Sequence, residues 1–168
     1  MRHRFHSLCP YFAMFPEDFA KSWVLRLTEP GDYVLDPFFG RGTTPFQSLL
    51  LGRKALATDT NDVAFCLTAA KTSAPKLPKL LSRIDELEES YDGRKVAREA
   101  RDHHEFFRLA YTRDVLNRLL FLRKTLDWKE NKTDRMVAAL VLGALHGEVL
   151  LRQKITRHKL IKCVIVML

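Results

Sequence analysis

The sequence is short of cysteine: Cys9, Cys66 and Cys163 are its three, far apart and in no C-x-x-C spacing. That excludes a disulfide framework and a cysteine-based zinc site, and it fits reduced thiols in a cytoplasmic protein. Long apolar runs are missing as well. The terminal run, residues 163–168, is far too short to span a membrane, and residues 1–10 hold no apolar stretch of the signal-peptide kind. Proline stops at Pro78, and no glycine lies between Gly93 and Gly143, so the second half lacks the usual punctuation of tight turns. No two prolines are adjacent anywhere, and there are no repeats or low-complexity tracts.

What is there is enough for a core. Apolar residues make up 46% of the 168, which suits one domain or one domain with a helical appendage. The formal net charge of +8 favours a polyanionic partner, nucleic acid foremost. A basic surface without such a partner is the alternative.

Residues 17–28 have the period of an amphipathic helix, with Phe19, Ala20, Trp23, Val24 and Leu27 on one face and Glu17 and Asp18 in the first turn. "EPGD" (29–32) predicts a type II turn, and Tyr33 to Leu35 a short buried strand. A helix follows, with Thr44 as its cap, Pro45 at its first position and Gly52 at its end. Lys54 to Ala57 reads as a second strand and 62–71 as another helix. This strand-turn-helix-strand order implies a parallel pair. "SAPKLP" (73–78) is a break. Beyond it the pattern is helical and charged to about residue 147. It comprises "LLSRIDELEES" (80–90), a helix capped by Thr112, and a third from about Thr133. The last ten residues, "KLIKCVIVML", read as a strand.

The stretch "VLDPFFGRGTTP" (34–45) feeds a strand through a glycine pair into a helix. Such a turn gathers backbone N–H groups and a helix N-terminus around one spot that suits an anionic or strongly polar group. A nucleotide P-loop needs lysine and Ser/Thr after its last glycine, but Gly42 is followed by Thr43 and Thr44. A dinucleotide fingerprint needs a third glycine where Pro45 stands. S-adenosylmethionine is the remaining cofactor class.

"DPFFGRGTT" (36–44) closely resembles the first motif of the amino-directed (N4-cytosine and N6-adenine) DNA methyltransferases, D-P-F-x-G-x-G-T-T. "LLGRKALATDTN" (50–61) supplies, in that family's order, a glycine-basic pair, a short strand and an acidic residue. "FHSLCPYFAMFP" (5–16) is similar to the segment ahead of the cofactor motif in one branch, and the helices ending in "LHG" (145–147) resemble its middle region more weakly. The main match covers roughly residues 5–70. The resemblance implies a Rossmann-like α/β methyltransferase fold, here partial and with a helical insertion, and S-adenosylmethionine as cofactor. It divides the chain into a cofactor-binding part (1–72), a helical region (73–147) and a basic segment with a terminal strand (148–168).

Carried over position by position, it places Asp36 toward the cofactor's amino group. Gly40 and Gly42 stand where the backbone approaches the methionine portion, and Thr43 and Thr44 on its carboxylate. Asp59 falls on the ribose hydroxyls, Asn61 beside the adenine, and Phe38 in contact with the cofactor. The bland reading of the same residues is that Pro37, Phe38 and Phe39 fill the core and Asp59 caps the next helix.

The family's catalytic motif is Asp, Asn or Ser, then Pro-Pro and an aromatic, which holds an extruded base by its amino group. The sequence has no such motif; "LCPYF" (8–12) is the nearest approach, and the Cys9-Pro10 order is the reverse of what C5-cytosine chemistry needs. No catalytic and no metal-binding residue is therefore assigned. His103 and His104, adjacent on a helix, diverge too much to chelate, and His146 suits a helix C-terminus. His3 and His6 lie among arginines where phosphate contact is unspecific.

The expected function is site-specific DNA methylation, with this chain as the cofactor-binding portion of a truncated member and a second polypeptide supplying the catalytic motif. The alternatives are a non-catalytic cofactor- or DNA-binding subunit, an inactive gene fragment, or an RNA methyltransferase. The basic run "RQKITRHKLIK" (152–162) is either a DNA-backbone contact or a solvated face.

Overall fold

A computed structural model describes residues 3–9 and 14–145. The anticipated terminal strand, the basic run at 152–162 and His146 lie outside the described residues. The chain divides into two compact units between residues 74 and 75.

The first unit opens with a 3-10 turn, Arg4–Ser7, and continues through α1 (Glu17–Leu27), β1 (Tyr33–Asp36), α2 (Thr43–Leu50), β2 (Lys54–Ala57) and α3 (Asp62–Thr72). The two strands pair in parallel, from Tyr33 with Lys54 to Asp36 with Ala57. The turn before β1 is of the expected kind. Gly31 has φ +96° and the Asp32 N–H reaches the Glu29 carbonyl at 3.1 Å. Gly52, at φ +78°, ends α2 as anticipated, its N–H bonding the Leu49 carbonyl at 3.1 Å.

Three details differ from the sequence reading. Helix α2 begins at Thr43 and is capped by Gly42, so Thr44 is not the cap and Pro45 occupies the third helical position. Proline is tolerated there because, as at the first position, the N–H it lacks would have no partner within the helix. The strands are not buried: Leu35 is 66% and Leu56 54% exposed. Two strands alone offer little surface to shield one another, and only Val34, Asp36 and Ala55 are half-covered. On α1, only Ala20 and Val24 are buried, while Phe19, Trp23 and Leu27 face outward.

The second unit is helical: α4 (Leu77–Glu89), a 3-10 turn (Gly93–Lys95), α5 (Ala97–Asp102), α6 (Glu105–Ala110), α7 (Arg113–Thr125) and α8 (Lys132–Leu145). Pro78 lies in the first turn of α4, so it starts that helix rather than closing a break. Leu80, Ile84 and Leu87 form the inner face of α4, and Met136, Val137 and Leu140 that of α8. The two helices are joined by Arg83, whose Nε and Nη2 donate to the nearly buried Asp134 carboxylate at 2.7 and 3.2 Å. Thr112 caps α7 through the Val115 N–H, as expected. The short helices α5 and α6 were not anticipated. The chain turns out of helix at His103, and His104 restarts it by accepting the Phe106 N–H on Nδ1.

Candidate functional site

β1 closes on Asp36 and β2 is followed two residues later by Asp59. Parallel pairing sets both carboxylates at the same edge, the carboxyl ends of the strands, where open α/β sheets take their ligands. Asp36 Oδ1 accepts the Phe38 N–H at 3.1 Å, and the Asp36 carbonyl accepts the Thr58 N–H at 3.1 Å. Asp59 joins the two connections: its Oδ2 accepts from the Gly40 N–H and its Oδ1 from the Asn61 N–H, each at 2.9 Å. A carboxylate oxygen has two acceptor positions, so both keep capacity for a ligand hydroxyl.

The loop itself is left-handed at Gly40 (φ +52°) and Gly42 (φ +76°). At Gly42 there is a second constraint. A Cβ there would lie 2.4 Å from Thr68 Oγ1 and 2.5 Å from Thr68 Cγ2 on α3. The close approach this glycine permits is therefore to the protein's own helix, an interior role that the sequence reading did not assign. Thr68 Oγ1 also donates to the Gly40 carbonyl at 3.1 Å.

On its buried side the loop is fastened by cations. Arg41, 6% exposed, donates from Nη1 to the His6 carbonyl at 2.7 Å. Lys71, 4% exposed on α3, donates from Nζ to the Arg41 carbonyl. His6 is wholly buried, with its Nε2 3.0 Å from Gln47 Nε2 on α2 and its ring edge-on to Phe46, so it is no surface phosphate contact. Burial, aided by the Arg41 charge and opposed by Cys9, lowers the Lys71 amine to about 7. Burial likewise raises the Cys9 thiol, against the pull of Lys71 and Arg41.

The eight residues singled out in the sequence thus fall on the two connections that leave one edge of the strand pair. Thr43 is buried and Thr44 half-buried at the start of α2. No side chain caps that helix, so its first N–H groups, at the positive end of the dipole, keep their hydrogen-bonding capacity for an anion. Phe38 is 87% exposed and Pro37 is exposed too, so of the three residues read as core filler only Phe39 is buried. Asn61, not Asp59, caps α3, through the Val63 N–H at 2.9 Å. The N–H donors at the start of α2 and the carboxylate acceptors of Asp36 and Asp59 match a ligand with a carboxylate at one end and amino or hydroxyl donors at the other.

Sequence reasoning missed His6, Arg41, Thr68 and Lys71. The signal for two of them was present: Ala64, Leu67, Thr68 and Lys71 recur at helical spacing, which puts a lysine in phase with the apolar face of α3. His103 and His104 flank the junction of α5 and α6 instead of sharing one helix, and His103 stacks on Phe107 at 4.9 Å. Among the described residues, no three His, Cys, Asp or Glu side chains gather as a metal site, and no helix is long and apolar enough to cross a membrane.

Residues 2–70 match the model of a family described as DNA methylase, N6_N4_Mtase. The type II methyltransferase M.Cfr9I of Citrobacter freundii is 58% identical over 33 residues, which is 20% of this chain and 11% of that protein. The type II methyltransferase M.SmaI of Serratia marcescens is 42% identical over 52 residues, 31% of this chain and 18% of that protein. The orphan methyltransferase M.BamHII of Bacillus amyloliquefaciens is 43% identical over 47 residues, 28% and 18% respectively. Each match spans less than a fifth of the relative's own length. No solved structure matches.

Proposed function

We propose, from the premise that residues 2–70 belong to the DNA methylase family, that the first unit binds S-adenosylmethionine at the carboxyl ends of β1 and β2. It would act as the cofactor half of an N4-cytosine or N6-adenine DNA methyltransferase. The cofactor supplies an electrophilic methyl group to the amine of the base. The chain's own residues bind and orient. The uncapped first turn of α2, with Thr43 and Thr44, receives the carboxylate, and Asp36 the amino group. Asp59 accepts from the ribose hydroxyls while its bond to the Gly40 N–H keeps the loop at the right distance. Asn61 borders the adenine, and the exposed ring of Phe38 offers it a stacking surface. The observation that carries this reading is the Asp59 carboxylate shared between the glycine loop and the turn after β2.

The 168 residues contain no Pro-Pro-aromatic motif to hold an extruded base. Transfer on this reading therefore needs a polypeptide segment outside them, and these residues alone are a cofactor- and DNA-binding module. Isothermal calorimetry with S-adenosylmethionine tests the first claim. Binding is expected for the wild type, and Asp59→Ala should weaken it at least tenfold. A folded wild type that gives no heat of binding overturns the proposal. A methyl-transfer assay on DNA with these residues alone should give no product, and turnover would show that the base is held by other means.

A further inference from the structure

The second unit carries a cationic concavity that cofactor binding does not use. Arg101 in the last turn of α5, Arg108 in the last turn of α6 and Arg113 at the start of α7 line an open hollow of about 410 Å³, together with Tyr111. Its floor is Ala100 and Leu116, each 3% exposed and packed in a small core with Val96 and Leu120. The backbones of Arg101 and Arg113 therefore stand on helices fixed from beneath. All three side chains are exposed.

Of the carboxylates on α5, α6 and α7, Glu105 makes no ion pair among the described residues, and the others are already engaged. Asp102 pairs with Arg98, Asp114 and Glu88 with Arg118, and Glu99 with Lys124. Among the described residues, Arg101, Arg108 and Arg113 make no ion pair, in a unit whose other arginines mostly do. Three like charges around one hollow raise each other's energy, and a bound anion relieves that repulsion. A guanidinium presents a planar fork that fits a phosphate with two hydrogen bonds, which an ammonium does not. The helix that carries Arg108 also exposes Phe106, at 64%, an aromatic beside cations of the kind nucleic acid surfaces use.

We propose that this hollow is where the phosphate backbone of DNA docks on the second unit. The choice of DNA rests on the methylase reading of residues 2–70 together with the overall charge of +8. The openness of the hollow and its want of an enclosing aromatic pair favour a strand lying across it over a free nucleotide. The contacts are to phosphate, so they set affinity and register and leave base choice to other residues.

The test is fluorescence anisotropy with a labelled 30-base-pair duplex, titrated at several salt concentrations. The triple variant Arg101→Gln/Arg108→Gln/Arg113→Gln should bind at least tenfold more weakly at low salt. The slope of log K against log salt should become shallower by about 2 to 3, since each lost phosphate contact removes about 0.9. Arg94→Gln, at an exposed arginine already paired with Asp92, should leave both quantities unchanged. Should the triple variant melt early, the single reversal Arg108→Glu on exposed α6 reads the same loss. An unaltered slope in a folded variant overturns the proposal, as does a wild type that ignores DNA. Displacement of the duplex by micromolar ATP would assign the hollow to a free nucleotide and overturn it too. S-adenosylmethionine calorimetry on the triple variant should match the wild type. A wild type that binds the duplex but not S-adenosylmethionine would overturn the cofactor reading of the first unit and leave the phosphate site standing.

Discussion

The two units use their cations in opposite ways. In the first, the buried cations bond to backbone carbonyls. Arg41 holds His6, Lys71 holds Arg41, and Arg53 donates to the Thr28 and Leu51 carbonyls at 2.6 Å each. In the second, cations meet carboxylates on neighbouring helices, as Arg83 meets Asp134, Arg118 meets Glu88 and Lys124 meets Glu99. The difference follows from what each unit has to immobilise. A glycine loop leaves carbonyls without helical or sheet partners, and a long cationic side chain can reach them. A set of helices satisfies its own backbone, so most of its charged side chains are left to join helix to helix or to face solvent; Arg135 departs from this, donating to the Trp128 and Lys129 carbonyls in the connection between α7 and α8.

The largest way to break this contrast is to attack the loop through its backbone. Gly42→Ala is expected to cost about 3 kcal/mol, since it combines a disfavoured left-handed alanine with overpacking against Thr68. Gly31→Ala, at φ +96° with nothing within 4 Å of its Cβ, should cost only about 1 kcal/mol. Urea unfolding of the pair measures the difference, and equal losses would remove Thr68 from the account.

A sharper test uses pH. Lys71 has a folded value of about 7 and an ordinary unfolded one, so across that interval the unfolded chain holds a proton that the folded protein has released. Stability must therefore rise with pH above 7, by up to about 1.4 kcal/mol per unit, and below 7 that gain is absent. The window closes near about 8.5, where the raised Cys9 thiol begins to act with the opposite sign. Lys71→Met should flatten the profile between pH 7 and 8.5 in calorimetric melts. A variant that keeps the wild-type slope would show that another group is responsible.

The smallest effect is expected in the second unit. Arg98 and Asp102 lie 3.8 Å apart with side chains 90% and 69% exposed, so Arg98→Ala should change stability by less than about 0.5 kcal/mol. A larger loss would mean that surface pairs hold this unit more firmly than the contrast allows.

The first unit was legible where local chemistry decides. Pro30 and Gly31 made the turn, Lys54 to Ala57 the second strand, and Asp62 onward the third helix. The start of α2 was read two residues late because Pro45 suits several positions of a first turn, while the positive φ of Gly42 leaves no mark in the sequence beyond the glycine itself. The burial of β1 was misjudged because apolar composition says nothing about how many strands stand beside it. In the helical unit, α5 and α6 escaped notice because histidine and valine flank them where glycine or proline would have marked an end. The candidate site was read through its motif. The cations that fasten it were not, since their partners are carbonyls, which every residue has.

The strand pairing described above has one more consequence. Every rung, from Tyr33 with Lys54 to Asp36 with Ala57, joins residues 21 positions apart, and the Gly31 N–H to Gly52 carbonyl bond at 2.9 Å closes the same span from outside. Loop-closure entropy is thus met once, at the first rung, and each further rung adds contacts without a longer loop to close. Parallel pairing is ordinarily slow because its partners are distant in sequence. Here α2 shortens that distance as it winds, so a substitution that weakens α2 is expected to slow the pairing of β1 with β2 as well.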